Sequence, residues 1–336
     1  MMRSPKSLFR LDQRCSVLLG LLLTSTLIAG PVKNGFDLSD ASVPADEVMS
    51  GGPGRDGIPA IDEPRFIDPG DADFLKPDDK VIHVSLKGEH RAYPVRILDW
   101  HEVVNDTIAG EPVAVTYCPL CRTAMVFHRE IDGEVTSFGV SGLLYNSDVL
   151  LYDRASESLW SQLKTEAVSG PHKGKKLEWL PSTVMTWEGW RERFPKGRVL
   201  SKKTGYSRPY WRDNYRDYHD SPNLMFPVNG VREIPGLKPK SLVVGTVIDG
   251  QPAAFKVDDL PKGQPIQTRV GGTPVLILRD ADSDAVTFTR PETGEWLPGT
   301  PAYWFAWSAF YPESEIWTAA LAEKASEASG KGAGPG

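Results

Sequence analysis

Alternation of apolar and polar residues, rather than helical spacing, dominates the chain from about residue 80 onward. "KVIHVSLKGEHRAYPV" (80–95) reads as strand, turn and strand, with Lys87-Gly88 at the turn. "VAVTY" and "TAMVFHRE" continue as apolar, strand-like runs. "EIDGEVTSFGV" makes a hairpin about Asp132-Gly133, and "VLLYDR" and "SLWSQ" are strand-like. Helical signal is thin. "STVMTWEGWRERFP" opens on a Ser/Thr cap and stops at Pro195, and "PVRILDWHEVVNDTIAG" offers a second short helix. The expected fold class is mainly β, a β-rich α+β arrangement with few short helices.

The strand pattern occurs twice. Shifted by 162 positions, residues 81–115 fall on 243–277 without a gap. Val81/Val243, Gly88/Gly250, Ala92/Ala254, Val95/Val257, Leu98/Leu260, Gly110/Gly272, Pro112/Pro274 and Val113/Val275 are identical. These are apolar strand positions and turn residues, the ones a shared backbone demands. Two related β units are expected, the first followed by a long insertion. The divisions expected are an export signal or anchor at 1–30, a flexible linker at 31–50 and a first β-rich unit at 51–235. A second unit at 236–318 and a disordered, low-complexity tail at 319–336 complete the chain.

The first thirty residues differ from the rest. "MMRSPKSLFRLDQRC" is basic and "SVLLGLLLTSTLIAG" (16–30) is apolar, the two regions of an export signal. Pro31 after Ala29-Gly30 hinders cleavage there, so an uncleaved membrane anchor stays open as the alternative. Cys15 precedes the apolar run, which is not the lipoprotein arrangement. A periplasmic or secreted location is expected, in a compartment that permits disulfides. Without this segment 34 basic and 43 acidic residues remain. So acidic a body argues against nucleic acid as a partner and against anionic membrane surfaces, leaving membrane contact only through an uncleaved N-terminus.

Five blocks carry a resemblance. "GGPGRDGIPAIDEPRF", "RAYPVRILDWHEVVND", "VAVTYCPLCRTAMVF", "FGVSGLLYNSDVLLYDRASESLWSQ" and "LMFPV" follow one another between residues 51 and 228, in a resemblance that covers roughly residues 50 to 310. They resemble a large prokaryotic family, domain-of-unknown-function family 3179. The resemblance implies no activity, cofactor or substrate, and it makes 51–66 part of the domain. The chain departs from the family in two places. Arg122 stands where the family commonly has Gly, and His128 where it commonly has Asp, so His128 is not a ligand the family pattern supports.

Cys118 and Cys121, in "VAVTYCPLCRTAMVFHRE", raise the chemical question. The sequence around them is strand-like, without the βαβ pattern and helix N-terminus that activate thioredoxin-type thiols. A Cys-Pro-Leu-Cys turn between strands resembles a metal knuckle. No second Cys-x-x-Cys completes a zinc site, whereas Cu(I) accepts two thiolates and one imidazole or thioether. The third-ligand candidates are His101, Met125 and His128. His101 is preferred, because Trp100-His101-Glu102 and the cysteines both face segments of the second unit that lack them. Glu102 is then a partner that orients the imidazole. Asp148 and Asp153 are read as lining the same cleft, with turn chemistry and a surface ion pair as the alternative. The leading function is a binding protein with a copper-type metal site. A thiol–disulfide oxidoreductase and a structural module with an inert Cys pair are the alternatives. Whether the chain is an enzyme stays open, and no catalytic residue is assigned. The tract with Tyr206, Tyr210, Trp211, Tyr215 and Tyr218 is either a sugar or peptide platform or a pinned loop. No G-x-S-x-G, H-E-x-x-H, Walker or Rossmann signature appears.

Overall fold

The computed structural model describes residues 31–319 and Leu321. The expected signal or anchor (1–30) and nearly all of the expected disordered tail lie outside the described residues. Among the described residues the fold is mainly β, with four short α-helices, and no helix there is long and apolar enough to cross a membrane.

The first unit packs two sheets face to face. One runs Ser182–Thr186, Lys80–Leu86, Glu89–Pro94, Arg198–Leu200 and Phe66–Ile67. The other runs Trp179–Leu180, Thr123–His128, Glu111–Cys118 and Val103–Ile108. The second unit repeats both. Its sheets are Thr300–Tyr303, Leu242–Ile248, Gln251–Lys256, Glu315–Trp317, and Ile266–Val270, Thr273–Arg279, Val286–Thr289, Trp296–Leu297. Register is kept as well as order. Glu89–Pro94 pairs in parallel with Arg198–Leu200 through Arg91↔Arg198, and Gln251–Lys256 pairs in parallel with Glu315–Trp317 through Ala253↔Glu315. The turns Lys87-Gly88 and Asp249-Gly250 share positive φ at both residues (48° and 83°; 49° and 79°), the two-residue hairpin geometry that suits twisted strands.

The two cores use matching positions. Ile82, Tyr93, Val113, Val115, Val126 and Leu180 in the first correspond to Val244, Phe255, Val275, Ile277, Phe288 and Leu297 in the second. The hydrogen bonds between the units are reciprocal. Thr186 N–H donates to the Ser283 carbonyl and Tyr303 N–H to the Cys121 carbonyl, each at 2.8 Å. Thr183 Oγ1 donates to the Val286 carbonyl and Thr300 Oγ1 to the Ala124 carbonyl, each at 3.0 Å. The same contact made in both directions marks a pseudo-twofold interface, as between the subunits of a symmetric dimer.

The insertion separates the units in kind. Residues 129–178 of the first unit stand where the second has only 291–295. They build the sheet Glu166–Ser169, Leu159–Ser161, Asp148–Asp153, Phe138–Tyr145, whose last strand takes Val48–Ser50 as its edge neighbour. Here two expectations are corrected. The stretch 31–50 is not a flexible linker: Phe36, Leu38, Val43 and Val48 are buried against Leu143, Leu150 and Tyr152, so its few apolar residues dock it despite the loop-like composition around them. The helix expected from Pro94 onward covers only Val95–Leu98, and Val103–Ile108 is a strand, because its β-branched residues pair with Glu111–Cys118. The expected helix near Pro195 forms over Trp187–Arg193, with Thr186 Oγ1 accepting from Gly189 N–H as its N-cap.

Candidate functional site

Glu111–Cys118 is buried on both faces, and its period of two sorts the side chains. Val113, Val115 and Tyr117 enter the core of the first unit, while Ala114 and Cys118 point the other way, toward the inserted sheet. After the turn, Cys121 joins that second side along with Met125 and Phe127. The inserted strand Asp148–Asp153 meets them there. Its hairpin turn is Asn146-Ser147, both with positive φ (49° and 62°), which brings the Ser147 carbonyl over the sulfurs. Cys121 Sγ donates to that carbonyl at 3.2 Å and Cys118 Sγ lies 3.7 Å from it.

Asp148 completes the group. One carboxylate oxygen and the two sulfurs lie within 4.8 Å of one another, all three residues being buried. Asp148 Oδ2 accepts from Leu163 N–H at 2.9 Å. Asp148 Oδ1 is buried with no hydrogen-bond partner among the described residues. Both cysteines are free thiols. Burial, and then Cys118, push the Cys121 thiol well up from its ordinary value. Burial pushes the Asp148 carboxyl up to about 7, against hydrogen bonds from the Leu163 and Val149 backbone that favour its charge. Beside it, burial and the charges of Asp148 and Asp99 raise Glu102 to about 8.

A cavity of about 100 Å³ opens next to the sulfurs, with Glu102, Cys118, Val149, Tyr215 and Phe226 in its wall. The loop beyond residue 201 closes it. Ser147 Oγ donates to the Phe226 carbonyl at 3.2 Å, and Asn229 N–H donates to Asn146 Oδ1 at 3.0 Å. This gives a structural use to the "LMFPV" block. The aromatic tract pins the same loop: Tyr218 OH donates to the Leu120 carbonyl at 3.1 Å, while Trp211 stays 80 % exposed.

His101 is not in the group. Its Nδ1 is 2.7 Å from the Pro59 carbonyl and its Nε2 is 2.6 Å from Tyr210 OH, so both ring nitrogens are spent on pinning two loops. The third donor that the structure brings to the sulfurs is Asp148. Asp153 is elsewhere: it accepts from Trp160 Nε1 at 2.9 Å and from Ser156 Oγ at 2.7 Å, a turn and core role. Trp100 packs on the core of the first unit with its Nε1 buried and without a hydrogen-bond partner among the described residues. His128 pairs across the sheet with Val113, and Met125 shares the apolar cluster of the cysteines. Asp148 was visible in sequence only as a turn aspartate. Nothing along the chain ties it to Cys118, thirty residues earlier, until the insertion folds back.

The family model for "Protein of unknown function (DUF3179)" matches residues 55–297. The chain belongs to this family. Neither a curated protein nor a solved structure matches it. Arg122 takes a φ of 56°, a conformation that glycine adopts without strain. That accounts for glycine being common at this point in the blocks the chain resembles, and it leaves the arginine as a costly choice.

Proposed function

We propose that this protein binds a metal ion through Cys118, Cys121 and Asp148. One observation carries the reading: a fully buried carboxylate oxygen without a hydrogen-bond partner converges with two thiols that are themselves shut off from solvent. A buried polar atom left unpaired costs roughly 1–3 kcal/mol, and a bound cation is what would repay it. The copper expectation rested on an imidazole as third donor. A carboxylate in that place turns the donor set toward Zn(II), which takes thiolate sulfur and carboxylate oxygen together, whereas soft Cu(I) would keep only the two thiolates. Metal entry displaces both thiol protons, so affinity rises with pH. Three protein donors leave Zn(II) a fourth position, and the small cavity at Cys118 and Glu102 gives a water or small ligand room to take it.

A second reading keeps the pair as a redox dithiol. Two thiols would give two electrons and two protons to a disulfide substrate, with Asp148 as the nearby proton acceptor. Cys118 and Cys121 are only 1 % and 0 % exposed, which bars a protein disulfide from reaching them and ranks this reading second. The basic and apolar stretches before residue 31 support export as the setting for either role. A reporter fused to the C-terminus that is active only in the cytoplasm would remove that setting.

The deciding experiment is titration of the fully reduced, anaerobically purified chain with Zn(II) and Cu(I) against chromophoric chelators. One tight equivalent of Zn(II), lost in Cys118→Ser, is expected. Reduced protein that takes up neither metal, yet exchanges with a glutathione couple, would replace the metal reading by the redox one.

A further inference from the structure

The pseudo-twofold axis makes two cavities that should be alike and are not. Both lie where the units meet, and Lys80, Val184, Leu242 and Pro301 line both. The cavity on the side of the second unit holds about 150 Å³, the one on the side of the first about 500 Å³.

Their charges are organised in opposite ways. In the smaller cavity Asp284 is ringed by cations, at 2.8 Å from Lys262, 3.2 Å from Arg279 and 3.8 Å from Lys80. That site has neutralised itself. In the larger cavity the position equivalent to Asp284 is Arg122 and the position equivalent to Arg279 is Tyr117. Arg122 makes no ion pair and no hydrogen bond with its side chain among the described residues; its nearest specific contact is the Tyr303 ring, 5.6 Å from the guanidinium to the centroid. The Tyr117 hydroxyl likewise makes no hydrogen bond among the described residues. Asp99 also lines the cavity; burial and the charge of Asp213 raise it to about 7, against the pull of Arg122 and Arg96, and it makes no ion pair with Arg122 within 4.0 Å. Burial and then Arg122 lower His219 to about 4, which leaves its imidazole neutral.

The rim repeats the imbalance. Six cationic side chains line this cavity against four aspartates, in a chain whose formal net charge is -6. Arg96 is paired to Asp79 at 2.5 Å and Arg216 approaches Asp213 at 3.9 Å, while Arg212 has no carboxylate within 4.0 Å among the described residues. A guanidinium held at positive φ at the wall of a metabolite-sized cavity, with no carboxylate within 4.0 Å among the described residues, is arranged for an oxyanion from outside.

We propose that the large cavity binds a small organic anion, its carboxylate or phosphate taken by Arg122 and hydrogen-bonded by Tyr117, with Arg212 at the rim. The proposal is independent of the metal site. Arg122 adjoins Cys121 in sequence, but its side chain lies on the side of the Glu111–Cys118 sheet where Tyr117 points, away from the sulfurs. The test is equilibrium dialysis of the full chain with two labelled probes, succinate and inorganic phosphate, up to 10 mM and at low ionic strength. Saturable one-to-one binding of at least one probe is expected, and which one binds separates a carboxylate site from a phosphate site. Arg122→Ala should weaken it at least about tenfold, the loss of one half-buried charged hydrogen-bond partner. Arg122→Lys should recover part of the loss, and Arg269→Ala, at an exposed position of the strand Ile266–Val270 in the second unit, should change nothing. Cys118→Ser should bind the probe like the wild type even if its metal is gone. No saturable binding of either probe to the wild type, or equal binding by Arg122→Ala, overturns the proposal.

Discussion

The turn Cys118–Cys121 and the turn Asp280–Ser283 occupy the same place in the two units, and they solve the same local problem differently. In the second unit Asp280 accepts from Ser283 N–H at 2.9 Å, from Ser283 Oγ at 2.6 Å and from Arg193 Nη2 at 2.6 Å. Burial works against its charge, but those hydrogen bonds bring the carboxyl down to about 2. The carboxylate of this turn is fully matched, in part by Arg193 of the first unit. In the first unit the matching atoms are two thiols, which share one backbone carbonyl, and the carboxylate comes from the insertion with one oxygen unmatched. One copy closes its turn; the other leaves it chemically unfinished. The comparison teaches that the scaffold needs neither cysteine, and that the insertion exists where the second copy has nothing to cover.

The same contrast runs through the helix each unit carries. Trp190 Nε1 donates to His83 Nδ1 at 2.9 Å, and Trp307 Nε1 donates to Ser314 Oγ at 2.8 Å. Where one copy has the polar partner, the other has glycine: a Cβ on Gly245, opposite His83, would stand 2.3 Å from Trp307, and one on Gly197, opposite Ser314, would stand 2.6 Å from Trp190. Each indole is buried and satisfied, from opposite sides. If the units are equivalent scaffolds, Trp190→Ala and Trp307→Ala should each cost about 3–5 kcal/mol in urea unfolding. A large loss in one and a negligible loss in the other would break the equivalence.

Glu102 faces Gln264 in the duplication, so Glu102→Gln gives the first unit the second unit's residue. The folded value of about 8 lies above the ordinary 4.5. The folded chain therefore holds this proton more tightly, and that stability is fully present below pH 4.5 and lost as pH rises through 8. The variant has no such loss, so it should gain on the wild type between pH 5 and pH 9, by a few kcal/mol in order of magnitude. Thermal melts across that range check it, and a constant difference would mean that Glu102 is charged throughout. His101→Ala should cost about 1–3 kcal/mol of stability, because it strands the Pro59 carbonyl and leaves Tyr210 OH with Thr204 Oγ1 alone, and should leave metal affinity unchanged. A loss of metal binding would restore His101 as a ligand. Least in effect is the reverse graft. Asp280→Cys with Ser283→Cys places a Cys-x-x-Cys in the second unit without an Asp148, and its Zn(II) affinity, read by chelator competition in a Cys118→Ser background, should fall at least about tenfold below that of the native site.

Much of this was legible along the chain, for a physical reason. Gly88/Gly250 and Gly110/Gly272 mark hairpin turns, and Val81/Val243 and Val113/Val275 are inward strand positions, so one offset carried through four strands. The second half of the repeat is just as visible once a gap is allowed. "WLPSTVMTWEGWRERFP" and "WLPGTPAYWFAWSAFYP" share Trp, Leu, Pro and Thr at their starts, two tryptophans three apart and a closing Pro. The insertion changes the offset between them, so the two halves of the repeat do not align without a gap. The site was half legible. The cysteines announced themselves, whereas His101 was drawn in by its absence from the second unit, although that absence reflects loops only the first unit needs to pin. Asp148 depends on a long-range sheet packing that no local spacing encodes.

The central claim is that two sulfurs and one carboxylate, with no imidazole, hold the ion. Zinc K-edge X-ray absorption on the one-equivalent complex reads those donors directly. The account predicts two sulfur scatterers at about 2.3 Å and oxygen scatterers at about 2.0–2.2 Å. The multiple-scattering signature of a coordinated imidazole, or a shell without sulfur, would contradict it.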